Sequence, residues 1–298
     1  MPKTKRAKPD KGAVQAPKGV RYFDHPMLVR HAEATRFLWG DDVSQQVSDF
    51  IYGRNERVAS LIYALRPGGY FKSSTTWKSM FDQHRFYYVL QGHLTIHDPE
   101  SGEVAQAVAG EAIYWRGAKW HFGYNFSQQE TVVLDWYAPQ ERPPTVPEVE
   151  FGKTKPALKS IKNGRYELIG NWPAAMLAER RKALAEGGLV TIGRRDALHL
   201  IHGDERPIVE SLYISTDQIT AGVVDLMPGT KADPQSHPSD KIILVTAGRL
   251  NVYLPDSYDW FEANPRDCLF LPGGTRHQYW NYSDAPTSFA FSVVPRYR

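Results

Sequence analysis

Short apolar runs, rich in β-branched and aromatic residues, recur along the chain between clusters of Gly, Pro and Asp. In the first half these runs are VASLIYAL (58–65), FYYVLQGHLTIHD (86–98), EAIYW (111–115) and TVVLDWYA (131–138). Runs of this length and composition, bounded by turn residues, predict β-strands. Many short strands joined by Gly- and Pro-rich turns predict an all-β sandwich or closed barrel.

The pattern occurs twice, because a shift of 156 residues aligns the two halves of the chain. GEAIYWRGAKWHFGYN (110–125) aligns with RDCLFLPGGTRHQYWN (266–281), and upstream segments align after a five-residue length difference. In each half a Gly is followed 29 residues later by a His and four residues after that by an Asn, namely Gly92, His121 and Asn125, then Gly248, His277 and Asn281. A repeat at a fixed offset predicts two copies of one fold.

The segment between the two copies has a different composition. APQERPPTVPEVEFGKTKP (138–156) is rich in Pro and predicts an extended linker. NWPAAMLAERRKALAEGG (171–188) starts with Asn and Pro, continues with good helix formers and stops at Gly-Gly, which predicts a helix. A second helix is predicted over DDVSQQVSDFIYG (41–53).

The predicted organisation has four parts. Residues 1–20 form a disordered basic tail, residues 21–140 the first barrel with a lead-in, residues 141–190 the Pro-rich linker and helix, and residues 191–298 the second barrel. The tail holds six of the 36 basic residues and one of the 33 acidic ones, so the rest of the chain has a net charge of −2 although the whole has +3. A basic body that would bind nucleic acid is therefore not predicted.

Several classes of protein are excluded by what the sequence lacks. Cys268 is the single cysteine, so a disulfide-stapled scaffold is excluded and a buried thiol is expected. No apolar stretch is long enough to span a membrane, and no secretory signal is present, so we expect a soluble cytoplasmic protein with no membrane partner. Neither a phosphate-binding Gly-rich loop nor a serine nucleophile motif occurs, so no nucleotide cofactor is expected.

The two copies resemble cupins, which are small antiparallel barrels of the jelly-roll type. The whole chain therefore resembles a bicupin, a protein with two such barrels. PGGTRHQYWN (272–281) fits the end of the second cupin motif, and the first copy keeps His121 and Asn125 but has Arg116 in place of the Pro. The resemblance covers about two-thirds of the chain and implies two tandem cupin barrels. In the usual cupin, two His and a Glu of the first motif and the His of the second bind a metal, so the resemblance implies one divalent transition metal, Fe, Mn, Ni or Zn.

The first cupin motif departs from the family pattern in both copies. The position of the Glu ligand is Lys241 in the second copy and Arg85 in the first. The positions of the two His ligands are Gln235 and His237 in the second copy, and Ser79 and Phe81 in the first. A fixed positive charge beside a divalent metal is unfavourable on Coulomb grounds. The sequence therefore leaves open whether either barrel binds a metal.

In the second copy the candidate metal ligands are His237, His277, the carbonyl oxygen of Gln235, and Asp240 if a β-bulge turns it inward. Two His and a carboxylate with open positions would suit non-haem Fe(II) or a similar metal. The alternative is that Lys241 pairs with Asp240 and the two His line a polar pocket.

In the first copy the candidate metal ligands are His84 and His121. The register of one strand decides this site, because side chains alternate and His84 faces inward only if Arg85 faces outward. The surrounding sequence is strongly aromatic, and we expect Tyr88 and Trp120 to line an apolar pocket with a few polar groups.

Two functions follow from the resemblance. The first is a metal-dependent enzyme, an oxidoreductase such as a dioxygenase or a lyase such as a decarboxylase, that acts on a small carboxylated or aromatic molecule. Its catalytic residues are undefined, and Arg85 or Lys241 would hold a substrate carboxylate. The second is a metal-free cupin that binds a small molecule or serves as a scaffold. The fold does not choose between them, and homo-oligomer formation is left open.

Overall fold

The computed structural model describes residues 17–77, 79–139 and 188–297. The predicted tail up to residue 16 lies outside the described residues, as do nearly all of the predicted linker and the helix predicted at 171–188. No helix in the described ranges is long and apolar enough to cross a membrane.

The described chain is built from β-strands and two short 3-10 helices, His31–Glu33 and Arg194–Asp196. The strands before residue 140 are β1 Met27–Val29, β2 Thr35–Trp39, β3 Val47–Arg54, β4 Ala59–Leu65, β5 Tyr70–Phe71, β6 Met80–Asp82, β7 His84–Gln91, β8 His93–Asp98, β9 Glu103–Val108, β10 Ala112–Trp115, β11 Ala118–Trp120, β12 Phe122–Tyr124 and β13 Thr131–Ala138. The strands after residue 187 are β14 Val190–Ile192, β15 Leu198–His202, β16 Ile208–Ser215, β17 Thr220–Leu226, β18 Asp240–Ala247, β19 Leu250–Leu254, β20 Asp259–Ala263, β21 Cys268–Leu271, β22 Gln278–Trp280 and β23 Thr287–Val294.

The helix predicted over residues 41–53 is wrong. Gln45 has a φ of 63°, a left-handed conformation that no α-helix contains, and the chain continues from it into β3. Strand β3 lies between β2 and β4 and hydrogen-bonds to both. Strand β3 provides hydrogen-bond partners for the backbone groups along one edge of β4, and a helix would leave those groups unpaired. Tertiary pairing therefore overrides the sequence pattern that predicts a helix.

Two seven-stranded antiparallel sheets form the centre of the molecule. Their strand orders are β14-β10-β7-β13-β4-β3-β2 and β1-β21-β18-β23-β17-β16-β15. The first sheet closes into a barrel with the four-stranded sheet β5-β12-β8-β9, and the second with the three-stranded sheet β20-β19-β22. The predicted all-β class with two tandem cupin-type barrels is thereby confirmed.

Three hydrophobic cores hold these layers together. One fills the first barrel and includes Leu61, Val89 and Trp115, and another fills the second barrel. The third lies between the two large sheets and combines side chains of both halves, such as Phe86 from the first and Phe270 from the second. The central strands of the large sheets are therefore buried on both faces, which explains why their sequences read as nearly continuous apolar runs; they are β4, β7, β13, β18 and β23. Cys268 lies in the core between the sheets, as a buried thiol.

The two barrels also exchange short edge strands. Strand β1 pairs with β21 of the second barrel, and β14 pairs with β10 of the first. The predicted division at residue 190 therefore does not follow the sheets, because β14 runs across it while belonging to the first barrel. Each exchanged strand covers an edge that would otherwise expose unpaired backbone groups.

The repeated Asn joins two loops in each barrel. The Asn125 side-chain amide donates to the carbonyl oxygens of Leu65 and Gln129 at 3.1 and 2.7 Å. Asn281 donates to the two equivalent carbonyls at 3.0 and 2.9 Å. Both Asn side chains are fully buried, so these bonds cannot be replaced by bonds to bulk water. The repeated Asn therefore has the same structural role in both barrels.

We predict that Asn125→Ala and Asn281→Ala each destabilise the protein by about 2 kcal/mol or more, because each leaves buried carbonyl groups unpaired. Urea-induced unfolding followed by circular dichroism measures this as a lower midpoint. The exposed Asn264 is a matched control, and Asn264→Ala should change stability by less than about 0.5 kcal/mol. Equal midpoints for Asn281→Ala and Asn264→Ala would contradict the structural role.

Candidate functional site

The register of β7 decides which side chains enter the first barrel. Arg85 and Tyr87 lie on the inward face, where both line a cavity, while His84, Phe86 and Tyr88 face the other large sheet. Lys241 occupies the equivalent position on β18, since Arg85 and Lys241 pair with Tyr137 and Val293 in the same register. Both barrels thus place a buried cation where the cupin pattern has a carboxylate ligand.

Arg85 forms a buried ion pair with Asp135. Its Nη1 donates to Asp135 Oδ2 at 2.6 Å and its Nη2 donates to Gln83 Oε1 at 3.3 Å. The guanidinium lies between the rings of Phe81 and Tyr137, at 4.6 and 4.4 Å from their centroids. Burial raises the pKa of Asp135 to about 6, an effect that the Arg85 charge opposes, so the pair is ionised at neutral pH. Arg85 is therefore held rigidly and its charge is already compensated.

A cavity of about 680 Å³ lies in the first barrel, and this ion pair forms part of its lining. Its walls are largely aromatic and are formed by Phe37, Trp39, Tyr63, Phe71, Phe81, Tyr87 and Tyr137. Three buried polar atoms that belong to lining residues, Tyr63 OH, Arg85 Nε and Asp135 Oδ1, have no hydrogen-bond partner among the described residues. A buried polar atom without a partner costs about 1–3 kcal/mol, so a bound molecule with matching donors and acceptors would be favoured here.

The two histidines predicted as a metal pair in the first barrel are not brought together. His121 is buried and lines the cavity, with Nδ1 donating to the Lys119 carbonyl at 3.2 Å. Burial, and then the nearby Arg85, lower the pKa of His121 to about 3, so the imidazole is neutral. His84 lies on the opposite face of its strand, where Nδ1 is 2.8 Å from the hydroxyl of Tyr114. His84 is directed between the barrels because Arg85 is directed inward.

The two aromatic residues expected in a pocket lie elsewhere. Tyr88 belongs to the core between the large sheets and contacts Tyr213 of the second half, with ring centroids 5.9 Å apart. Trp120 packs against Met80 and Phe122 in a small separate cluster. Neither residue lines the cavity. For Tyr88 the reason is the alternation of side chains along β7, which turns Tyr87 inward and Tyr88 outward.

The second barrel is centred on Lys241, which is only 1% exposed. Its ammonium donates to His237 Nε2 at 3.0 Å and to Gln235 Oε1 at 3.3 Å. It also lies over the rings of Phe291 and Tyr279, at 4.7 and 5.2 Å from their centroids. Burial lowers the pKa of Lys241 to about 8, which the charge of a nearby carboxylate opposes.

That carboxylate belongs to Glu210, a residue that the sequence analysis missed. Burial alone raises its pKa, but the Lys241 charge and a hydrogen bond from the Tyr297 hydroxyl lower the pKa overall. Glu210 and Lys241 therefore balance one another inside the second barrel.

The hydrogen bonds assign the tautomers of both histidines in the second barrel. His237 Nδ1 donates to the Tyr297 carbonyl at 2.9 Å, which leaves Nε2 as the acceptor of the Lys241 bond. His277 Nδ1 donates to the Thr275 carbonyl at 3.0 Å, and its Nε2 accepts from the Tyr279 hydroxyl at 3.2 Å. Burial is the main reason that the pKa of each His lies below its usual value, so both are neutral. The two rings lie 6.0 Å apart between centroids.

Asp240, the expected carboxylate ligand, is directed away from these histidines. Its Oδ1 accepts from the Gly273 amide at 3.0 Å and from Arg57 at 3.3 Å, and its Oδ2 accepts from Asn55 at 2.9 Å. The bulge in β18 occurs between Val245 and Ala247, too far along the strand to turn Asp240 inward. Asp240 therefore joins the two halves and is not part of the interior site.

The interior residues do not fit the metal that the cupin pattern implies. In the second barrel the ligand atoms of His237 and Gln235 are already bonded to an ammonium, which would repel a divalent cation bound to the same atoms. In the first barrel Arg85, paired with Asp135, points inward at the position of the carboxylate ligand. Within the described ranges, no three His, Cys, Asp or Glu side chains are grouped so that they would hold a metal ion.

The sequence contained a signal for the carboxylates that were missed. Asp135 and Glu210 are lone charges inside the apolar strands TVVLDWYA and IVESLYIS. A carboxylate in a buried strand must be paired or neutralised, so both predict a buried counter-ion. The identity of that counter-ion depends on which strands lie opposite, which the sequence alone does not specify.

The comparisons with known proteins agree with the observed fold. The family model of the cupin domain matches residues 222–294, within the second barrel. No curated protein matches the chain. The structure is similar to a formate complex of Lactobacillus farciminis oxalate decarboxylase, with a TM-score of 0.60, 14% identity, and coverage of 93% of this chain and 89% of that one.

Two further solved structures show how widely this fold is used. A variant of Bacillus subtilis oxalate decarboxylase has a TM-score of 0.60 at 15% identity, covering 95% of this chain and 81% of that chain. The 7S globulin of Momordica charantia has a TM-score of 0.57 at 12% identity, covering 90% of this chain and 84% of that chain. At such identities the likeness shows the fold, and the activity has to be argued from the site.

We predict that Lys241→Glu, which replaces the ammonium with a carboxylate, enables the second barrel to bind a metal ion. Wild-type protein should keep its melting temperature when Mn(II), Fe(II), Ni(II) or Zn(II) is added. Lys241→Glu should be stabilised by several degrees by at least one of these ions, because a ligand that binds only the folded state raises its stability. Lys241→Met, which removes the charge without adding a ligand, is the matched control and should not respond.

The opposite outcome would contradict this prediction. If a transition metal stabilises the wild-type protein and His277→Ala abolishes that stabilisation, the second barrel binds a metal in spite of Lys241. The conclusion that its interior residues do not fit a metal ion is then wrong.

Proposed function

We propose that this chain, a two-barrel member of the cupin superfamily, binds a small organic molecule in its first barrel without using a metal ion. The observation that carries the proposal is the cavity beside the Arg85–Asp135 pair, where buried polar atoms of Tyr63, Arg85 and Asp135 lack partners among the described residues. Ligand sites commonly combine apolar walls with a small number of convergent polar groups.

A comparison of equivalent positions supports the first barrel as the binding barrel. The strand registers equate three polar-tipped residues of the first barrel with three apolar residues of the second, namely Tyr63 with Val224, Tyr87 with Ile243 and Asp135 with Phe291. Apolar side chains at these positions belong to the packed core of the second barrel. In this proposal the second barrel serves as a scaffold. In the first barrel the equivalent positions carry polar-tipped residues that line a cavity.

The phenols in the cavity suit binding better than proton abstraction. Burial is the main cause that raises the pKa of Tyr63 and of Tyr87 well above the usual value, so both hydroxyls stay protonated at neutral pH. A protonated hydroxyl can donate a hydrogen bond and orient a ligand but is a poor base. Rigid aromatic walls would stack on a ring or an apolar chain of the ligand.

The metal-dependent reaction expected from the family resemblance is the competing proposal. The observation that favours it is the orientation of His237 and His277, which both donate through Nδ1 to backbone carbonyls and turn Nε2 inward, as metal-binding His residues do. The Lys241 contacts oppose it. Under this alternative the protein would be a dioxygenase-like or decarboxylase-like enzyme, and the metal titrations of the Lys241 variants separate the two.

We predict that the neutral fluorophore N-phenyl-1-naphthylamine binds in the first barrel with enhanced fluorescence and a stoichiometry of about one per chain. Ile51→Trp, which fills the cavity from its lining, should abolish the enhancement. Leu38→Trp adds the same side chain at an exposed position of β2, whose neighbours Phe37 and Trp39 line the cavity, and should leave binding unchanged. Circular dichroism checks that both variants are folded.

Absence of binding to wild-type protein, or equal binding to Ile51→Trp and wild type, would remove the support for a ligand cavity in the first barrel.

A further inference from the structure

The two barrels differ in how their buried charges are balanced. The strand registers equate Asp49 on β3 with Glu210 on β16, because the first pairs with Tyr63 and the second with the equivalent Val224. In the second barrel Glu210 is the carboxylate that balances Lys241. In the first barrel Arg85 is bonded to Asp135 instead, which leaves Asp49 without an equivalent counter-ion.

Asp49 faces the cavity as a carboxyl group without a counter-ion among the described residues. Within the described ranges no hydrogen bond or ion pair reaches it, although it lines the same cavity as Arg85 and Asp135. Burial, and then the negative charge of Asp135, raise its pKa well above the usual value, while Arg85 only partly opposes them. A carboxyl group perturbed in this way lacks a positive charge beside it, and a cation that enters the cleft would favour its ionised form.

The lining holds more acidic than basic residues. The acidic residues Asp49, Glu56, Asp82 and Asp135 outnumber the basic residues Arg54 and Arg85 by four to two. His121 adds no charge, since it is neutral. A carboxylated ligand would add another negative charge to this cavity and would meet an Arg85 whose charge Asp135 already compensates.

The aromatic walls favour a cation as well. Trp39, Tyr63 and Phe71 line the cavity together with Asp49. The Phe71 ring contacts the other two, with Trp39–Phe71 and Tyr63–Phe71 centroids 6.1 and 5.8 Å apart. The faces of such rings attract an organic cation within about 6 Å, most strongly where water is excluded. The acidic groups are thus accompanied by an independent feature, an aromatic enclosure with the unpartnered, buried Tyr63 hydroxyl in it.

We infer that the ligand of the first barrel is an organic cation, an amine or a related nitrogen base, whose charge is bound by Asp49 and enclosed by the aromatic walls; this inference rests on the proposed binding function of that barrel. The ligand supplies the positive charge that Lys241 supplies in the second barrel. Tyr63 and the remaining donor and acceptor atoms of the Arg85–Asp135 pair would then bind the polar groups of the same molecule.

Three probes of similar size and different charge test this inference: 2-phenylethylamine, 2-phenylethanol and 3-phenylpropanoate. Each is titrated against the full-length protein at neutral pH and low salt, by calorimetry and by displacement of N-phenyl-1-naphthylamine. We expect the amine to bind at least about tenfold more tightly than the carboxylate, with the alcohol between them. Asp49→Asn should weaken amine binding by about tenfold and leave alcohol binding unchanged.

Asp82→Asn is the matched control, because it removes one carboxylate from the same cavity lining at a residue that is exposed. It should weaken amine binding much less than Asp49→Asn does, since exposed charges are screened by water and salt. Retention of alcohol binding by Asp49→Asn shows that this variant is folded and that its cavity is intact.

The outcomes separate the inference from the proposed function. If the fluorophore binds but the carboxylate equals or exceeds the amine, or if no probe displaces the fluorophore, the cation inference is overturned while a ligand cavity remains. Equal loss of amine binding in Asp49→Asn and Asp82→Asn would also overturn it. If neither the fluorophore nor any probe binds, both fail.

Discussion

A buried positive charge on the corresponding strand of each barrel is the constraint on which both interiors depend. Arg85 and Lys241 occupy the same position in the repeat, and neither is exposed to water to any useful extent. An unpaired buried charge is too costly to survive, so each barrel has to provide a carboxylate, ring faces and hydrogen-bond acceptors around it. The two barrels meet this requirement with different residues, and the different functions that we propose for them rest on that difference.

In the second barrel the requirement is met by groups that elsewhere in this fold would bind a metal. His237 and Gln235 accept the hydrogen bonds of Lys241, and Glu210 balances its charge. The charge of Lys241 is consequently balanced without a bound ion, and the surrounding strands are tightly packed with apolar side chains. Such a barrel is suited to support its neighbour.

In the first barrel the requirement is met by Asp135, whose position in the second barrel is taken by Phe291. This substitution replaces an apolar core side chain with a charged one, and it leaves Asp49 free of the role that Glu210 performs. The result is a cavity with a buried ion pair, a carboxyl group that has no counter-ion and aromatic walls. The exchanged strands β1 and β14 and the core between the large sheets hold these walls in place, which is the support that a preorganised binding site needs.

The sequence by itself determined the all-β class, the duplication and the equivalence of the two halves. These properties follow from local strand patterns and from the constant spacing of Gly, His and Asn. Both features can be recognised without knowledge of any long-range contact. Substitution of cations at the position of a metal ligand was also visible, and it correctly raised the question of whether the inherited site is retained.

Only the tertiary structure decided which face of β7 enters the barrel and which residues meet there. One residue of register exchanges the two faces completely, so the sequence allowed either His84 or Arg85 to be the inward side chain. In strands that are buried on both faces, hydrophobicity does not distinguish the barrel interior from the interface between barrels. For that reason the sequence predicts a pocket position for Tyr88, which lies in the interface, and does not single out Asp135. The pairing of Arg85 with Asp135, 50 residues apart in the chain, depends on which strands are neighbours. That is a property of the assembled sheet, and no local pattern contains it.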